Sequence, residues 1–229
     1  DVQGPRPNCV FILVDDMGWM DAGFQGSRLY ETPRLDRLAG EGVRFSSAYA
    51  SSPYCSPSRA GIQTGRYPVR TGINCWIGYL PRLNRKMIGP LNRDHLASGE
   101  VTLAEALREA GYSTGIIGKW HLGTGEYFPE HQGYETALAV THSQAGSYFY
   151  PFVPPIMNDL ENPQWGDFLT DRLADAAMDF ISESHAQGRP FLVLYSTYAV
   201  HSNIDAGDEL VDKYRRKLEE LPPETPPRY

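Results

Sequence analysis

Three short segments with strand patterns, each of which leads into charged or imidazole side chains, constrain the fold more than any other feature of this sequence. The first, Cys9–Val14, is an unbroken apolar run bounded by Pro7 and by two acids. Such a run is typical of a strand that is fully buried in a parallel sheet. Residues 113–118 and 191–195 are the other two predicted strands.

Helical patterns alternate with these strands. Residues 33–39 predict a capped helix, Thr102 and Glu105 predict a capping box for a second, and residues 168–184 have an amphipathic pattern. Residues 43–49 alternate weakly between apolar and polar side chains and predict a further strand. Alternation of strands and helices favours an α/β fold, here a three-layer sandwich around a largely parallel central sheet.

The polar residues that follow the three predicted strands are expected to meet. The carboxyl ends of parallel strands lie at one edge of a sheet, and open α/β sheets bind their ligands outside that edge. The residues that this rule places at the carboxyl edge are Asp15, Asp16, Lys119, His121 and His201. We therefore expect one functional site there.

Asp15 and Asp16 follow the first strand without an intervening residue. Two adjacent carboxylates at the end of a buried strand are costly unless a cation lies between them, and a hard cation such as Ca²⁺ or Mg²⁺ suits carboxylate oxygens. The downstream residues do not continue as an EF-hand loop. On spacing alone, two solvated loop acids remain an equal alternative.

The segment around Cys55 predicts a helix with a reactive start. Ser56 suits an N-cap, Pro57 suits the first helical position, and Gly65 suits the left-handed residue that ends a helix. Cys55 would then precede a helix N-terminus and lie near Arg59, two features that lower the pKa of a thiol. A small buried cysteine beside a capped helix is the alternative.

Two motifs carry a family resemblance. The run Cys-Ser-Pro-Ser-Arg that starts at Cys55, with Thr-Gly-Arg behind it, resembles the signature of the formylglycine-dependent sulfatases of the alkaline phosphatase superfamily, including the arylsulfatases. The run Gly-Lys-Trp-His-Leu-Gly that starts at Gly118 resembles their second signature. The resemblance implies that a formylglycine-generating enzyme, reading Pro57 and Arg59, oxidises Cys55 to formylglycine, whose hydrated aldehyde is the nucleophile.

The same resemblance implies a role for each site residue. Asp15, Asp16 and the modified Cys55 would hold a divalent metal, Ca²⁺ with Mg²⁺ as the alternative. Arg59 and Lys119 would balance the charge of the sulfate. The histidines would act on protons: His121 at the hydrated aldehyde, and His201 at the leaving alcohol. Members of the family commonly have Pro two residues after the latter histidine, whereas this chain has Asn203 there.

The activity that the resemblance implies is hydrolysis of a sulfate monoester, either an aryl sulfate or a carbohydrate sulfate. Two alternatives stay open. One is a phosphoester hydrolase of the same superfamily, against which the cysteine of the motif argues. The other is an incomplete sulfatase-like module that only binds sulfated glycans.

The resemblance also implies that 1–229 is the N-terminal part of a single sulfatase catalytic domain whose C-terminal remainder is absent. Sulfatases continue to a strand that ends in Asp-Asn-Gly and to a further lysine. Asp205, Asp208 and Asp212 are present, but none precedes Asn-Gly. We therefore expect an incomplete alkaline-phosphatase-like fold.

Charge and composition limit the kinds of molecule that this chain can bind. A net charge of −7 argues against nucleic acid as a partner, and no apolar run approaches the roughly 18 residues of a membrane span. Residues 66–93 contain six basic residues and no acid, which predicts either a surface for a polyanion or a solvated loop.

The chain begins abruptly at Asp1, so we expect an exported protein with its signal removed. The cysteine count permits, without requiring, a bridge between Cys9 and Cys75.

Overall fold

A computed structural model describes residues 6–80, 84, 86, 87 and 89–222. Its sheet contains four parallel strands: β1 (Cys9–Val14), β2 (Ser113–Gly118), β3 (Thr136–Leu138) and β4 (Phe191–Thr197). Their order across the sheet is β1-β4-β2-β3. The three strands predicted from apolar runs are confirmed, whereas β3 is too short to give a pattern and was not predicted.

The α-helices of the described residues are α1 (Pro33–Glu41), α2 (Cys55–Thr64), α3 (Pro68–Thr71), α4 (Leu103–Glu109), α5 (Leu169–Ala186) and α6 (Asp208–Glu220). The predicted capping box of α4 is confirmed. The hydroxyl of Thr102 accepts a hydrogen bond from the Glu105 amide, and the Glu105 carboxylate accepts one from the Thr102 amide. No helix among these residues is both long and apolar enough to cross a bilayer.

Two hydrophobic cores lie on opposite faces of the sheet. On one face, Phe191 and Val193 of β4 pack with side chains of α5 such as Phe180. On the other face, Leu192 and Leu194 pack with side chains from α2 and α4. Successive residues of a strand point to opposite faces, so β4 contributes to both cores. The predicted three-layer α/β sandwich is confirmed.

The prediction that Cys9–Val14 is fully buried is wrong. The strand forms and is parallel to β4, but it lies at the edge of the sheet, and its central residues Val10, Phe11 and Ile12 are 53%, 37% and 48% exposed. Among the described residues, no strand pairs with its outer side. The sequence of β1 is therefore typical of a strand in the interior of a sheet, but among the described residues only β4 pairs with it.

The strand predicted over residues 43–49 is absent, and this segment is irregular. Its apolar side chains point into solvent: Val43, Phe45 and Tyr49 are 82%, 76% and 89% exposed. A strand requires a partner for its backbone hydrogen bonds, and the described residues do not provide one here. Cys9, Cys55 and Cys75 are all free, so the bridge between Cys9 and Cys75 is not formed.

Candidate active site

The ends of the strands bring the predicted site residues to one place. Asp15 follows β1, Lys119 and His121 follow β2, His201 lies beyond β4, and Cys55 is the first residue of α2. One potential ligand atom each from Asp15, Cys55 and His201 lies within 4.8 Å of the others. The grouping of these side chains at the carboxyl edge thus matches the sequence-based expectation.

Asp15 is the electrostatic centre of this group. Its carboxylate is 6% exposed and pairs with two buried cations: Arg59 Nη2 lies 3.1 Å from Oδ1, and Lys119 Nζ contacts Oδ2. Burial alone would raise the pKa of Asp15, but the charges of Arg59 and Lys119 outweigh it, so the pKa is lowered. Side chains of the protein thus compensate the buried charge of Asp15, and the divalent cation expected from the sequence stays a prediction.

Arg59 is held by three acceptors. Besides Asp15, its Nη1 donates to the carbonyl oxygen of Lys119 at 2.6 Å and to the hydroxyl of Ser196 at 2.7 Å. Sequence reasoning missed Ser196; the available signal was a hydroxyl near the end of an otherwise apolar strand. The Nε of Arg59 is buried and, within the described residues, has no hydrogen-bond partner.

Gly118 lets β2 and β4 approach each other at the site. Its φ is +101°, and a Cβ built there would lie 2.0 Å from the carbonyl oxygen of Ser196. The Lys119 amide donates to that same carbonyl oxygen at 2.9 Å. A side chain at position 118 would therefore displace the backbone that orients Lys119.

His121 is a buried neutral imidazole. Burial is the main cause that lowers its pKa to about 4, and the nearby Lys119 charge acts in the same direction. Nε2 lies 3.3 Å from the carbonyl oxygen of Ile77, so that nitrogen carries the proton of the neutral ring. The buried Nδ1 has no partner within the described residues and holds the free lone pair. His121 can therefore accept a proton or a hydrogen bond at Nδ1.

Cys55 differs in two respects from the sequence-based prediction. The helix begins at Cys55 with Tyr54 as N-cap, so Ser56 lies inside α2, where its hydroxyl accepts a hydrogen bond from the Ile77 amide. The pKa of the Cys55 thiol is raised rather than lowered. Burial is the main cause; the Lys119 and Arg59 charges act to lower this pKa, and the Asp15 and Asp16 carboxylates act to raise it.

His201 and Asp16 form the solvent side of the site. His201 Nε2 lies 3.7 Å from Asp16 Oδ2, and the Asp16 side chain is 52% exposed. The Val200 amide donates to the carbonyl oxygen of Asp15 at 2.9 Å, which fixes the segment after β4 against the end of β1. The two predicted metal-binding carboxylates thus differ in their surroundings: Asp15 is buried between cations, and Asp16 is half-exposed to solvent.

Comparison with known proteins agrees with this geometry. A family model described as Sulfatase matches residues 7–224. N-acetylgalactosamine-6-sulfatase of Mus musculus is 36% identical over 225 residues, a match that covers 90% of this chain and 42% of that protein. Arylsulfatase A of Homo sapiens is 34% identical over 234 residues, covering 92% of this chain and 44% of that protein.

Solved structures show the same fold. A protein crystallised with its substrate D-glucosamine-2-N,6-O-disulfate is 28% identical, with a TM-score of 0.68 over 92% of this chain and 38% of that one. The chain spans less than half the length of the curated relatives that it matches. The fold is the alkaline-phosphatase-like fold of sulfatases. Because the match to the family model covers nearly the whole sequence, this chain belongs to the sulfatase family.

Proposed function

We propose that this chain is the N-terminal part of a sulfatase catalytic domain that hydrolyses sulfate monoesters, with position 55 as the nucleophile. The observation that carries the proposal is the placement of Cys55, the cysteine of the motif, within 4.8 Å of ligand atoms of Asp15 and His201 at the carboxyl edge. Once Cys55 is oxidised to an aldehyde and hydrated, position 55 supplies the oxygen that attacks sulfur.

Arg59 and Lys119 are proposed to bind the sulfate group. Lys119 is 1% exposed and Arg59 is 4% exposed, so both charges act in a site of low dielectric constant. Two cations held in such a site stabilise the negative charge that the sulfate oxygens and the leaving oxygen share in the transition state.

The two histidines are proposed to move protons. Because His121 is neutral and its Nδ1 is unpartnered, it can take a proton from the hydroxyl groups at position 55. His201 lies on the solvent side of the site, near Asp16, where a leaving alcohol would depart. We assign to His201 the delivery of a proton to that alcohol.

Ca²⁺, with Mg²⁺ as alternative, fits this donor set in part. Asp15, Asp16 and an oxygen at position 55 are hard ligands, and Asp16 is open enough to receive a cation. Ca²⁺ takes about 6–8 oxygen ligands, so the remaining ligands would come from residues other than these. When bound, the metal would act as a Lewis acid and lower the pKa of an adjacent hydroxyl.

A sulfated sugar is the substrate that the surroundings favour. Trp76 and Tyr79 form an edge-to-face pair with ring centroids 5.7 Å apart, and each is 40% exposed. Ile77, between them in sequence, contacts both Ser56 and His121, so the aromatic pair adjoins the site. Exposed aromatic rings provide an apolar face on which a sugar ring can pack. Relatives named for N-acetylgalactosamine-6-sulfate and a neighbour solved with a glucosamine disulfate agree with this class.

The test is co-expression with a formylglycine-generating enzyme, followed by mass spectrometry of the peptide that contains Cys55. We expect loss of the thiol and a hydrazide-reactive aldehyde in this chain. Turnover of an aryl or N-acetylhexosamine sulfate that needs a divalent metal is expected of a protein that also contains the C-terminal remainder of the domain, since the metal site is incomplete without it. The Cys55→Ala variant should lack both aldehyde and activity. An intact thiol throughout would refute the proposed nucleophile.

The same preparation separates the alternatives. Faster turnover of matched phosphate esters would favour a phosphoester hydrolase. An aldehyde-bearing protein that binds sulfated oligosaccharides without hydrolysing them would favour a binding module. The basic segment over residues 66–93 remains a predicted contact for such chains; two of its cations, Arg82 and Arg85, lie outside the described residues.

A further inference from the structure

Three side chains at the carboxyl edge combine oxygen, sulfur and nitrogen donors. One ligand atom each from Asp15, Cys55 and His201 lies within 4.8 Å of the others, and Asp16 Oδ2 lies 3.7 Å from His201 Nε2. In a tetrahedral zinc site with bonds of about 2.0–2.3 Å, neighbouring ligand atoms are roughly 3.3–3.8 Å apart. Small side-chain rotations would therefore suffice to close the group around one ion.

The imidazole of His201 is already oriented as a metal ligand. Its Nδ1 lies 3.1 Å from the carbonyl oxygen of Ser202, so Nδ1 carries the proton and the lone pair is on Nε2. Histidines that bind metals usually donate their other N–H to a carbonyl or carboxylate in this way. Nε2 is the nitrogen that faces Asp16.

We propose that, while Cys55 remains a thiol, Cys55 Sγ, His201 Nε2 and a carboxylate oxygen of Asp15 bind Zn²⁺. Asp16 is the fourth available donor. Thiolate and imidazole are ligands that Zn²⁺ prefers, whereas Ca²⁺ and Mg²⁺ take oxygen ligands. The atom at position 55 would thus select the metal: sulfur for zinc, and oxygen for a hard cation.

The charges of the site favour zinc over a hard cation in this form. Asp15 already pairs with Arg59 and Lys119, which weakens its attraction for any divalent cation. A carboxylate has about four lone-pair positions, so two remain for a metal. Ca²⁺ or Mg²⁺, which is held mainly by electrostatic attraction to oxygen ligands, would therefore bind weakly here. Zn²⁺ would still gain its strong bond to the sulfur of Cys55. Binding would release the thiol proton.

This inference does not depend on sulfate hydrolysis, because its measurement is metal binding by the unmodified protein. The 229-residue protein is made without a formylglycine-generating enzyme, and mass spectrometry verifies the thiol at Cys55. Zinc affinity is measured by competition with a chromophoric chelator. Cobalt in place of zinc reports a bound sulfur through a thiolate-to-metal charge-transfer band.

We expect one zinc per chain, not displaced by equimolar Ca²⁺, and protection of Cys55 from alkylation. Loss of a group that only orients a metal ligand costs about 10–100-fold in affinity, so Cys55→Ser and His201→Ala should each cost at least that. Cys9→Ser and His185→Ala are matched controls. Cys9 begins β1 and His185 lies in the last turn of α5, before β4, so both lie toward the opposite edge of the sheet.

Unchanged zinc affinity in Cys55→Ser or in His201→Ala, with the fold verified by circular dichroism, would overturn the proposal. An equal loss in either control would also overturn it, since zinc would then bind elsewhere. A cobalt complex without the charge-transfer band would exclude Cys55 Sγ as a ligand.

Discussion

The buried imidazole of His121 should make the protein lose stability in mild acid. The pKa of a histidine is about 6.5 when exposed in the unfolded chain, and burial lowers that of His121 to about 4. The folded state therefore holds the neutral ring. Between these two values the unfolded chain binds more protons, so the free energy of unfolding falls as the pH falls. From about pH 8 to about pH 4.5 the loss amounts to about 2.5 kcal/mol.

Urea denaturation at several pH values tests this magnitude in the wild type and in His121→Asn. Asparagine suits the φ of 58° at this position, so the variant can keep the local backbone. The substitution also lowers the free energy of unfolding through lost packing, but that loss is the same at every pH and therefore does not affect a comparison of the pH dependence. We expect the variant to lose about 2.5 kcal/mol less than the wild type over that range.

Two features separate His121 from other titrating groups. Asp15 also has a lowered pKa, so its contribution to stability is lost at pH values below its ordinary value of 3.8, beneath the range used here. His142 lies at an exposed position, so His142→Asn leaves His121 in place and should keep the His121 contribution to the slope. Parallel pH profiles for the wild type and His121→Asn would show that His121 is not held neutral by the fold, and the argument would fail.

Four further outcomes are expected. Gly118→Ala should prevent folding, because its Cβ would lie 2.0 Å from a backbone oxygen. The control Gly188→Ala is also at positive φ but has open space around it, so it should lower the free energy of unfolding by only about 1 kcal/mol in thermal denaturation. Ser196→Ala should lower the free energy of unfolding by about 1–3 kcal/mol in urea, because a buried guanidinium N–H loses an acceptor. Thr102→Ala should cost about 1 kcal/mol in the same assay, through loss of the capping box. Trp76→Ala should raise KM for a sulfated hexosamine several-fold and leave KM for a small aryl sulfate nearly unchanged, if the ring packs on the sugar.

Much of the central fold could be predicted because its signals are local. The apolar runs of β2 and β4 are buried on both faces, as their sequences indicate, and the capping box of α4 lies within four consecutive residues. The placement of β1 at an edge could not be predicted, because burial depends on what lies beside a strand. Residues 43–49 illustrate the same limit: the alternation is present, but the described chain supplies no partner strand.

The residues of the candidate site likewise include some that the sequence could predict and some that it could not. Motifs and strand ends identified Asp15, Lys119 and His201, since parallel strands deliver their carboxyl ends to one edge. Ser196 escaped because no motif marks it. Its role exists only where β4 passes beside Arg59, a contact between residues separated by 137 positions in the sequence.

The raised pKa of Cys55 shows why charge must be counted over the whole site. From the sequence, the visible influences were a helix N-terminus and Arg59, and both favour a thiolate. The structure adds the Asp15 and Asp16 carboxylates and the Lys119 cation, so two negative charges face two positive ones. Their sum is zero, and burial then decides in favour of the neutral thiol. An anion at position 55, whether thiolate or alkoxide, therefore needs positive charge beyond these side chains. That deficit is the physical reason to expect a divalent cation at this site, and it holds for either atom at position 55.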